Sequence, residues 1–330
     1  LVPHKPRPAY VFKMKLDTNN TKVISSELFE AMIESKHKHS YEYIDEVLEK
    51  NDTNNIHNKL FKITQKLKKH RLKNGFDFRN DEIRLILDDE EKLEDFRLET
   101  SSPSHSLVEE CMLLANQEAA KKLKNIGIFR VHDEPSDSKI KKLLDEVNFL
   151  GLDAKLKDDV HSTIVNIQKL AAKVELQQEV DELIIQSQQQ ASYTSMKKPH
   201  FGLGFNDYSH FTSPIRRYSD LVLHRILKNG AIPDNIDNIC EDISFREREI
   251  ASLVWDYEDR KYARYLGNHI GKVYMATLID NDNMIVKLDV EVKGARIYID
   301  NYSGQKLFSK LQIKITHSDI ISKRISGTII

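Results

Sequence analysis

Residues 200–227 read HFGLGFNDYSHFTSPIRRYSDLVLHRIL, and the interpretation of the fold starts from this stretch. Pro214 is predicted in the first turn of a helix that then carries Arg216 and Arg217, because proline suits that position. The N–H groups that a helix leaves free at its start, and the planar fork of a guanidinium, both bind phosphate oxygens. The stretch therefore predicts a phosphate-binding loop, with Arg216 as the candidate for the scissile phosphate.

Aromatic residues and glycines alternate through the first half of the stretch. Aromatic faces stack on nucleobases without regard to sequence, which suits the binding of a single strand. Glycine lets a backbone approach closely. The alternative is that the arginines pair with acids and the aromatic rings fill a core. That alternative is favoured for each residue taken alone, whereas the whole pattern favours RNA. The residues concerned are Phe201, Gly202, Gly204, Phe205, Tyr208 and Phe211.

The composition is that of a folded protein without a strong charge preference. The chain has 330 residues, of which 40% are hydrophobic and 31% charged, and this excludes a disordered chain. Its 50 Lys+Arg against 51 Asp+Glu give a net charge of −1. Because a nucleic-acid binder needs basic residues only where it touches phosphate, this balance neither supports nor excludes RNA.

The cysteines and the apolar runs predict the cellular compartment of the protein and whether it associates with a membrane. Cys111 and Cys240 are the only cysteines, and they are expected as reduced core residues of a cytoplasmic protein. There is no CxxC spacing for zinc. No apolar run is long enough for a bilayer, so no membrane association is expected.

The pattern along the chain predicts an α+β fold in two parts. A hairpin begins at residues 9–17 and continues near Lys22, a helix is expected at 27–34, and a strand pair at 83–87 and 95–99. Further helices follow, including a long charged one at 236–265, with Ile243, Ile250, Val254, Tyr257 and Tyr262 predicted toward the core. Five short strands after residue 272 predict a small OB-like β-barrel. The expected domains are 1–266 and 267–330.

The motifs of the stretch resemble the ribonuclease II/ribonuclease R (RNB) family of 3′→5′ exoribonucleases. That family carries HFGLGL, a tyrosine-containing spacer, FTSPIRRY, a D-L pair and H-R. This chain has each piece, with Phe205 in place of the final leucine of the first. The resemblance implies the helix-rich C-terminal portion of an RNB-type catalytic domain, followed by the barrel. It also implies that Arg216 contacts the phosphate that is cut.

Two further stretches extend the resemblance. Residues 106–116, SLVEECMLLAN, resemble the family's L-[IV]-E-E-x-M-L-x-A-N helix, in which a glutamate holds the terminal nucleotide. Adjacent glutamates point to different faces of a helix, so one of Glu109 and Glu110 is expected to reach RNA, and Glu110 is preferred. Residues 34–41 resemble I-x-S-x-x-R-L-T-Y, which implies that Tyr41 packs on the last base.

The resemblance thus implies one catalytic residue, Arg216, and a larger RNA-binding set. That set is Tyr41, Glu109, Glu110, Phe201, Gly202, Tyr208, Phe211, Thr212, Ser213, Arg217 and Tyr218.

The family's hydrolysis uses Mg²⁺ held by aspartates in a D-x-D-x-x-D-F-D-D-type run, which this sequence lacks. No residue here is predicted as a metal ligand. The acidic residues at 88–91 and 158–159 are interpreted as solvated charge. The ligands are expected upstream of residue 1, since the sequence begins with Leu1 in what resembles the middle of a loop.

The main hypothesis is a processive, hydrolytic 3′→5′ exoribonuclease on single-stranded RNA, closest to bacterial ribonuclease R, that releases nucleoside 5′-monophosphates. The residues present here are expected to be inactive by themselves. The alternatives are a non-catalytic RNA-binding module, or a scaffold with the same fold. The expected partners are single-stranded RNA and an RNA helicase or degradosome component, and the chain is expected to be a monomer.

Overall fold

A computed structural model describes residues 2–17, 19–78, 82–289 and 292–330, so Leu1 lies outside the described residues. The chain begins with a long antiparallel hairpin of β1 (Pro6–Leu16) and β2 (Val23–Glu34). The prediction of a helix at 27–34 was wrong. Those residues pair one by one with β1, up to Pro6 opposite Glu34. Cross-strand pairing, and the packing of Leu28 on a buried cluster, override the helix propensity of the local sequence.

Eight α-helices form the bulk of the described chain before the barrel. Their starts are fixed by side-chain caps in several cases: Ser40 accepts the N–H of Tyr43 at 3.2 Å, and Asp159 accepts that of Ser162 at 2.6 Å. The helices are α1 (Tyr41–Glu49), α2 (Ile56–Arg71), α3 (Pro103–Lys122), α4 (Asp137–Phe149), α5 (Val160–Lys173), α6 (Gln177–Ser187), α7 (Tyr218–Asn229) and α8 (Ile236–Gly267).

A short strand pair, which the sequence did not predict, supports the stretch at 200–227. Strand β5 (Ile126–Val131) runs antiparallel to β6 (Ser192–Met196), and residues 127–129 are buried. The N–H of Arg130 donates to the carbonyl of Tyr208 at 2.9 Å, which ties the stretch to this pair. A buried cluster of β5, α3, α7 and the start of α8 lies beneath it.

The predicted barrel is confirmed, and with it the α+β class. Five strands close in the order β10-β11-β9-β8-β7. They are β7 (Val273–Asp280), β8 (Ile285–Leu288), β9 (Arg296–Ile299), β10 (Lys310–Asp319) and β11 (Arg324–Ile329). The predicted strand pair is also present as β3 (Glu82–Leu87) and β4 (Leu93–Glu99), and Leu85 and Leu93 pack against the barrel's core.

Helix α8 differs from its prediction along its middle. Tyr262 is buried and Ile243 packs partly on a core, as expected. Ile250, Val254 and Tyr257 are instead 59%, 49% and 46% exposed. The helix is anchored at its two ends by different cores, and its middle third exposes these side chains between them. At its C-terminal end, Tyr262, Ala263 and Leu266 belong to the barrel's core.

Among the described residues, no helix combines the length and apolarity that a bilayer crossing requires. Cys240 is buried and Cys111 half-buried, and both are free thiols. Burial raises the pKa of the Cys240 thiol to about 12.

Candidate functional site

The loop between β6 and α7 presents the candidate phosphate ligand. Residues 214–216 form a single turn, in which the Ser213 carbonyl accepts the N–H of Arg216 at 3.2 Å and that of Arg217 at 3.0 Å. Arg217 then takes an extended conformation as the N-cap, and α7 begins only at Tyr218. The prediction of Pro214 in the helix's first turn was therefore wrong. Arg216 lies on the turn before the helix.

The aromatic residues of the loop are interior supports. Phe201, Tyr208 and Phe211 are only 9%, 4% and 5% exposed. Phe201 packs against Phe76 with ring centroids 5.2 Å apart, and Phe211 lies 4.9 Å from Phe12. The prediction that these rings contact RNA stays untested, but their burial leaves little ring surface for direct stacking on bases. Their burial agrees with the alternative in which they fill a core beneath the loop.

Asn116 of α3 holds the middle of the loop. Its Oδ1 accepts the backbone N–H of Phe211 at 2.9 Å and that of Thr212 at 3.1 Å. Its Nδ2 donates to the hydroxyl of Tyr208 at 2.8 Å. Because Asn116 is 2% exposed, all three bonds are shielded from water. Thr212 itself is half-buried, and its hydroxyl has no hydrogen-bond partner among the described residues.

Asp220 holds the end of the loop. Its Oδ1 accepts the N–H of Ser213 at 2.7 Å, and its carboxylate receives two bonds of 2.9 Å from the Arg217 guanidinium. Asp220 is fully buried, so the charge of Arg217 compensates a carboxylate that water does not reach. Arg217 is thereby committed to the protein. Its predicted contact with RNA could use only the N–H donors that Asp220 leaves free, on a side chain that is 22% exposed.

Arg216 differs from Arg217 in that nothing holds its side chain. It is exposed, as is Ile215 before it, and no described residue forms an ion pair or side-chain hydrogen bond with its guanidinium. Tyr218, the other predicted contact at this end, is 54% exposed at the start of α7. The loop thus presents one free guanidinium from a backbone fixed on both sides.

The two glutamates of α3 point to different faces, as predicted, but the preference for Glu110 is not supported. Glu110 is 3% exposed and accepts bonds of 2.7 and 3.1 Å from the guanidinium of Arg71, which is 6% exposed. The side chain of Glu109 reaches solvent. Desolvation by the surrounding protein raises the pKa of its carboxyl, although the positive charge of Arg71 acts to lower it. Glu109 is thus the more exposed of the two, whereas Glu110 lines a cavity together with Arg71.

Glu109 shares its face of α3 with His105 and Asn116, at spacings of four and seven residues. Tyr41, at the start of α1, stacks on His105 with ring centroids 3.7 Å apart and an angle of 17°. Tyr41 is 44% exposed, so its ring remains accessible. Along this face the Tyr41–His105 stack comes first, the Glu109 carboxylate second and Asn116, which holds the loop at Thr212, third.

Two glycine contacts fix the other end of the stretch. The N–H of Gly202 donates to Nδ1 of His132 at 2.9 Å, and the ring's Nε2 lies 2.7 Å from the Gln189 carbonyl. This pattern assigns the ring proton to Nε2. Gly202 is thus a backbone anchor, and an exposed RNA contact at this residue is not supported. Gly204 has φ 69°, and a Cβ there would lie 2.5 Å from the backbone of Asn74 and Gly75.

Two histidines of the stretch are held neutral by burial. Desolvation, with the charges of nearby His132 and Arg130, lowers the pKa of His200 to about 3. Desolvation, with Arg217 and Arg130, lowers the pKa of His210 to about 2. His210 Nδ1 lies 2.8 Å from the hydroxyl of Tyr193. Both rings are parts of the loop's support, since neither can carry charge near neutral pH.

The described residues do not fit a metal centre. No group of three His, Cys, Asp or Glu side chains among them converges as metal ligands. The acidic residues at 88–91 occupy the exposed turn between β3 and β4, and Asp159 is occupied as the N-cap of α5.

Sequence reasoning missed the residues that hold the loop. Asn116, Asp220 and His132 make its decisive hydrogen bonds. Asn116 and Asp220 lie inside motifs that the sequence already revealed, so their positions in those motifs could have identified them as functional. His132 offered no such signal, because its partner Gly202 is 70 residues away.

Comparison with known proteins identifies the family. The model of the RNB domain matches residues 1–231. Ribonuclease R of Helicobacter pylori is 32% identical over 98% of this chain and 52% of its own length. Ribonuclease R of Thermotoga maritima is 32% identical over 98% of this chain and 49% of its own. This chain thus spans about half the length of these curated relatives.

A solved structure shares the fold. Mycoplasma genitalium RNase R, in complex with ribose methylated single-stranded RNA, superposes with a TM-score of 0.88. It is 23% identical in sequence, and the match covers 100% of this chain and 58% of that one. The family match extends over the hairpin, helices α1 to α7 and the loop that presents Arg216. The chain belongs to the RNB domain family.

Proposed function

We propose that this chain forms the part of a ribonuclease R-type 3′→5′ exoribonuclease that holds the 3′ end of single-stranded RNA. The observation that carries the proposal is the loop of residues 211–217. Three consecutive N–H groups of its backbone are held by Asn116 and Asp220, and Arg216 projects from it without a partner among the described residues. A fixed backbone with one free guanidinium suits the positioning of a phosphodiester, because the loop loses little conformational entropy when RNA binds.

The residues around Arg216 divide into contacts and supports. Arg216 neutralises phosphate charge, the Tyr41 ring stacks on the terminal base, and Glu109 accepts hydrogen bonds from the terminal ribose. Thr212 and Ser213 offer their hydroxyls to the phosphate, because their backbone N–H groups already donate to Asn116 and Asp220. The remaining candidates act from beneath by holding this surface in shape: Glu110, Phe201, Gly202, Tyr208, Phe211 and Arg217.

Hydrolysis itself needs groups beyond these. We expect Mg²⁺ to activate the attacking water and stabilise the leaving oxygen, as the resemblance implies. Since the described residues do not fit a metal site, we assign no hydrolytic step to them. Processive cleavage and the release of nucleoside 5′-monophosphates are proposed for a protein in which this part is joined to the metal ligands.

Binding of RNA by the chain tests the proposal directly. Fluorescence anisotropy with 5′-labelled A20 measures the dissociation constant over a series of salt concentrations. Removal of one phosphate contact lowers the slope of log K against log salt by about 0.7 for single strands. We expect this loss for Arg216→Ala and an unchanged slope for Arg248→Ala, which removes an exposed arginine from α8. Equal effects of the two variants would remove Arg216 from the site.

A second candidate is a non-catalytic RNA-binding module with the same fold, favoured by the lack of a metal-ligand group among the described residues. It predicts the same binding, with no degradation of labelled poly(A) in Mg²⁺. If degradation occurs, Arg216→Ala should slow it at least about tenfold, or roughly 1.4 kcal/mol of transition-state stabilisation.

Other features stay proposals. We propose domains at 1–266 and 267–330, with the last turn of α8 contributing to the barrel's core. A cytoplasmic, monomeric protein that works with an RNA helicase or degradosome component stays a prediction.

A further inference from the structure

We infer a second base-stacking site for single-stranded RNA, formed by His37, His39, Tyr43 and His57 on the side of α1 away from Tyr41. The inference rests on the proposed function and extends it to further nucleotides of the same strand. Tyr41 and Tyr43 are two residues apart in the first turn of α1, so their side chains leave the helix about 200° apart. Tyr41 faces His105 of α3, and Tyr43 faces the loop before the helix.

The four rings form a short column. The His39 ring stacks on Tyr43 with centroids 5.0 Å apart at 15°, and on His37 at 5.7 Å and 26°. His57, at the start of α2, meets His39 edge-on at 5.4 Å and 84°. His37 and Tyr43 thus both lie near-parallel to His39. Because both side chains are exposed, ring surface remains for a further ring to stack on.

The column is exposed and does not belong to a core. His37 and His39 are exposed, Tyr43 is 48% exposed, and none of the three is part of the buried clusters found in the described chain. The loop is nonetheless ordered by its own bonds. The Ser35 hydroxyl donates to the His37 carbonyl at 3.0 Å, and Ser40 caps α1. A braced set of open aromatic faces matches the stacking platforms that bind single strands.

The surrounding charge shows how such a site would bind. Lys38 is exposed without an ion pair among the described residues, whereas Lys36 pairs with Glu34 at 2.6 Å. The acids Glu42 and Glu46 lie on the exposed surface of α1 nearby. This mixture gives no basic surface, so the site should act through stacking on bases and add little salt dependence. Arg216, by contrast, should act through phosphate.

The experiment separates these contributions with A20 carrying a 5′ label and, in a second set, one 2-aminopurine. We expect His39→Ala and Tyr43→Ala each to weaken binding by about fivefold or more, as the loss of one stacked base implies. Their salt slopes should equal that of the unchanged chain, and quenching of the 2-aminopurine should decrease. Tyr43→Phe keeps the ring and should bind within about twofold of the unchanged chain.

A matched control is available at the end of α8, where His269 stacks on Tyr265 with centroids 4.4 Å apart. His269→Ala removes a similar histidine–tyrosine contact and should leave binding unchanged. If His39→Ala and Tyr43→Ala bind like the unchanged chain while Arg216→Ala is weakened, the second site is refuted and the proposed function stands. If the unchanged chain does not bind A20, both fail. Micromolar binding of Zn²⁺ that is lost in His39→Ala would make the column a metal site instead.

Discussion

Asn116 shows how one buried side chain can determine the conformation of a functional loop. It satisfies two consecutive backbone N–H groups and one tyrosine hydroxyl, and water reaches none of the three bonds. A buried donor left without an acceptor costs about 1–3 kcal/mol. The geometry of the Thr212 turn therefore depends on an amide from a different element.

Replacement of this amide should destabilise the whole protein. We expect Asn116→Leu to lower the free energy of unfolding by about 3 kcal/mol or more, because three polar groups lose their partner together. Urea denaturation monitored by circular dichroism measures the change. Asn125→Ala removes an exposed asparagine and should stay within about 0.5 kcal/mol of the unchanged chain. A comparable stability for both variants would show that the amide does not hold the loop.

Arg216 and Arg217 should differ in the same experiment, although they are adjacent and chemically identical. Arg217→Ala leaves Asp220 buried with only the Ser213 N–H and the Ser219 hydroxyl as donors. Loss of a buried partner of this kind costs about 3 kcal/mol. Arg216→Ala should change the unfolding free energy by less than about 0.5 kcal/mol, since the side chain is exposed and unpaired among the described residues. Equal destabilisation by the two substitutions would contradict the division between support and contact.

At the scale of elements, the 3₁₀ turn Phe201–Leu203 is joined to the end of α2 by a contact between two backbones. Gly75 and Gly204 face each other there, and a Cβ on Gly75 would lie 2.5 Å from the Leu203 carbonyl oxygen. The N–H of Phe76 donates to the Gly202 carbonyl at 3.0 Å across the same contact. Only residues without side chains allow this approach.

A pair of glycines with nearly equal backbone angles isolates the steric part of this contact. Gly204 has φ 69° and Gly230 has φ 68°, but a Cβ on Gly230 would meet nothing within 4 Å. Gly230→Ala should cost about 1 kcal/mol for the left-handed conformation alone. Gly204→Ala should cost at least about 2 kcal/mol more, because its Cβ collides with the Asn74–Gly75 backbone. Thermal and urea denaturation measure the loss of stability in each variant. Equal losses for Gly204→Ala and Gly230→Ala would refute the close approach.

The loop between β6 and α7 should also make the protein acid-sensitive. Unfolded histidines protonate near pH 6.5, whereas His200 and His210 stay neutral in the fold down to about 3 and about 2. Below pH 6.5 the unfolded chain therefore binds more protons, and the free energy of unfolding falls as the pH decreases. Between pH 6.5 and 5 the loss is about 2 kcal/mol for each ring. Urea midpoints at pH 7, 6 and 5 measure it, and a constant midpoint would contradict the burial of these rings.

The sequence predicted this loop and the barrel, because both depend on local patterns. The choice of Arg216 over Arg217 as the phosphate candidate stays a prediction, and the local sequence gives little to distinguish the two. Their difference depends on the burial of Asp220, which is a tertiary property. The choice between Glu109 and Glu110 depends on Arg71, which lies 39 residues from Glu110. The helix propensity of residues 27–34 was likewise overridden by a contact with another part of the chain, the pairing with β1.

At the scale of the whole molecule, α8 connects the helical part to the barrel. The helix has 32 residues and spans about 48 Å. Its first turns join the cluster that holds the loop, with Cys240 1% exposed, and its last turns join the barrel's core, with Leu266 fully buried. Between them, Leu253 and Trp255 are both 61% exposed. One helix thus belongs to two cores, and its exposed middle is tied to the rest of the described chain by the ion pairs of Glu247 with Arg130 and of Asp256 with Lys323.

The exposed middle of α8 should open more readily than its ends. Local opening requires little free energy where few apolar contacts are lost, so amides of residues 247–256 should exchange with deuterium faster than those of residues 240–244 and 261–266. Mass spectrometry of peptides from the exchanged chain resolves the three segments. Helix α3 serves as the comparison, because its buried residues extend from Ser104 to Ala120 and should give protection through its centre. Uniform protection along α8 would mean that the exposed face is covered in solution. Faster exchange restricted to its middle would show that this segment opens locally while both ends stay held by their cores.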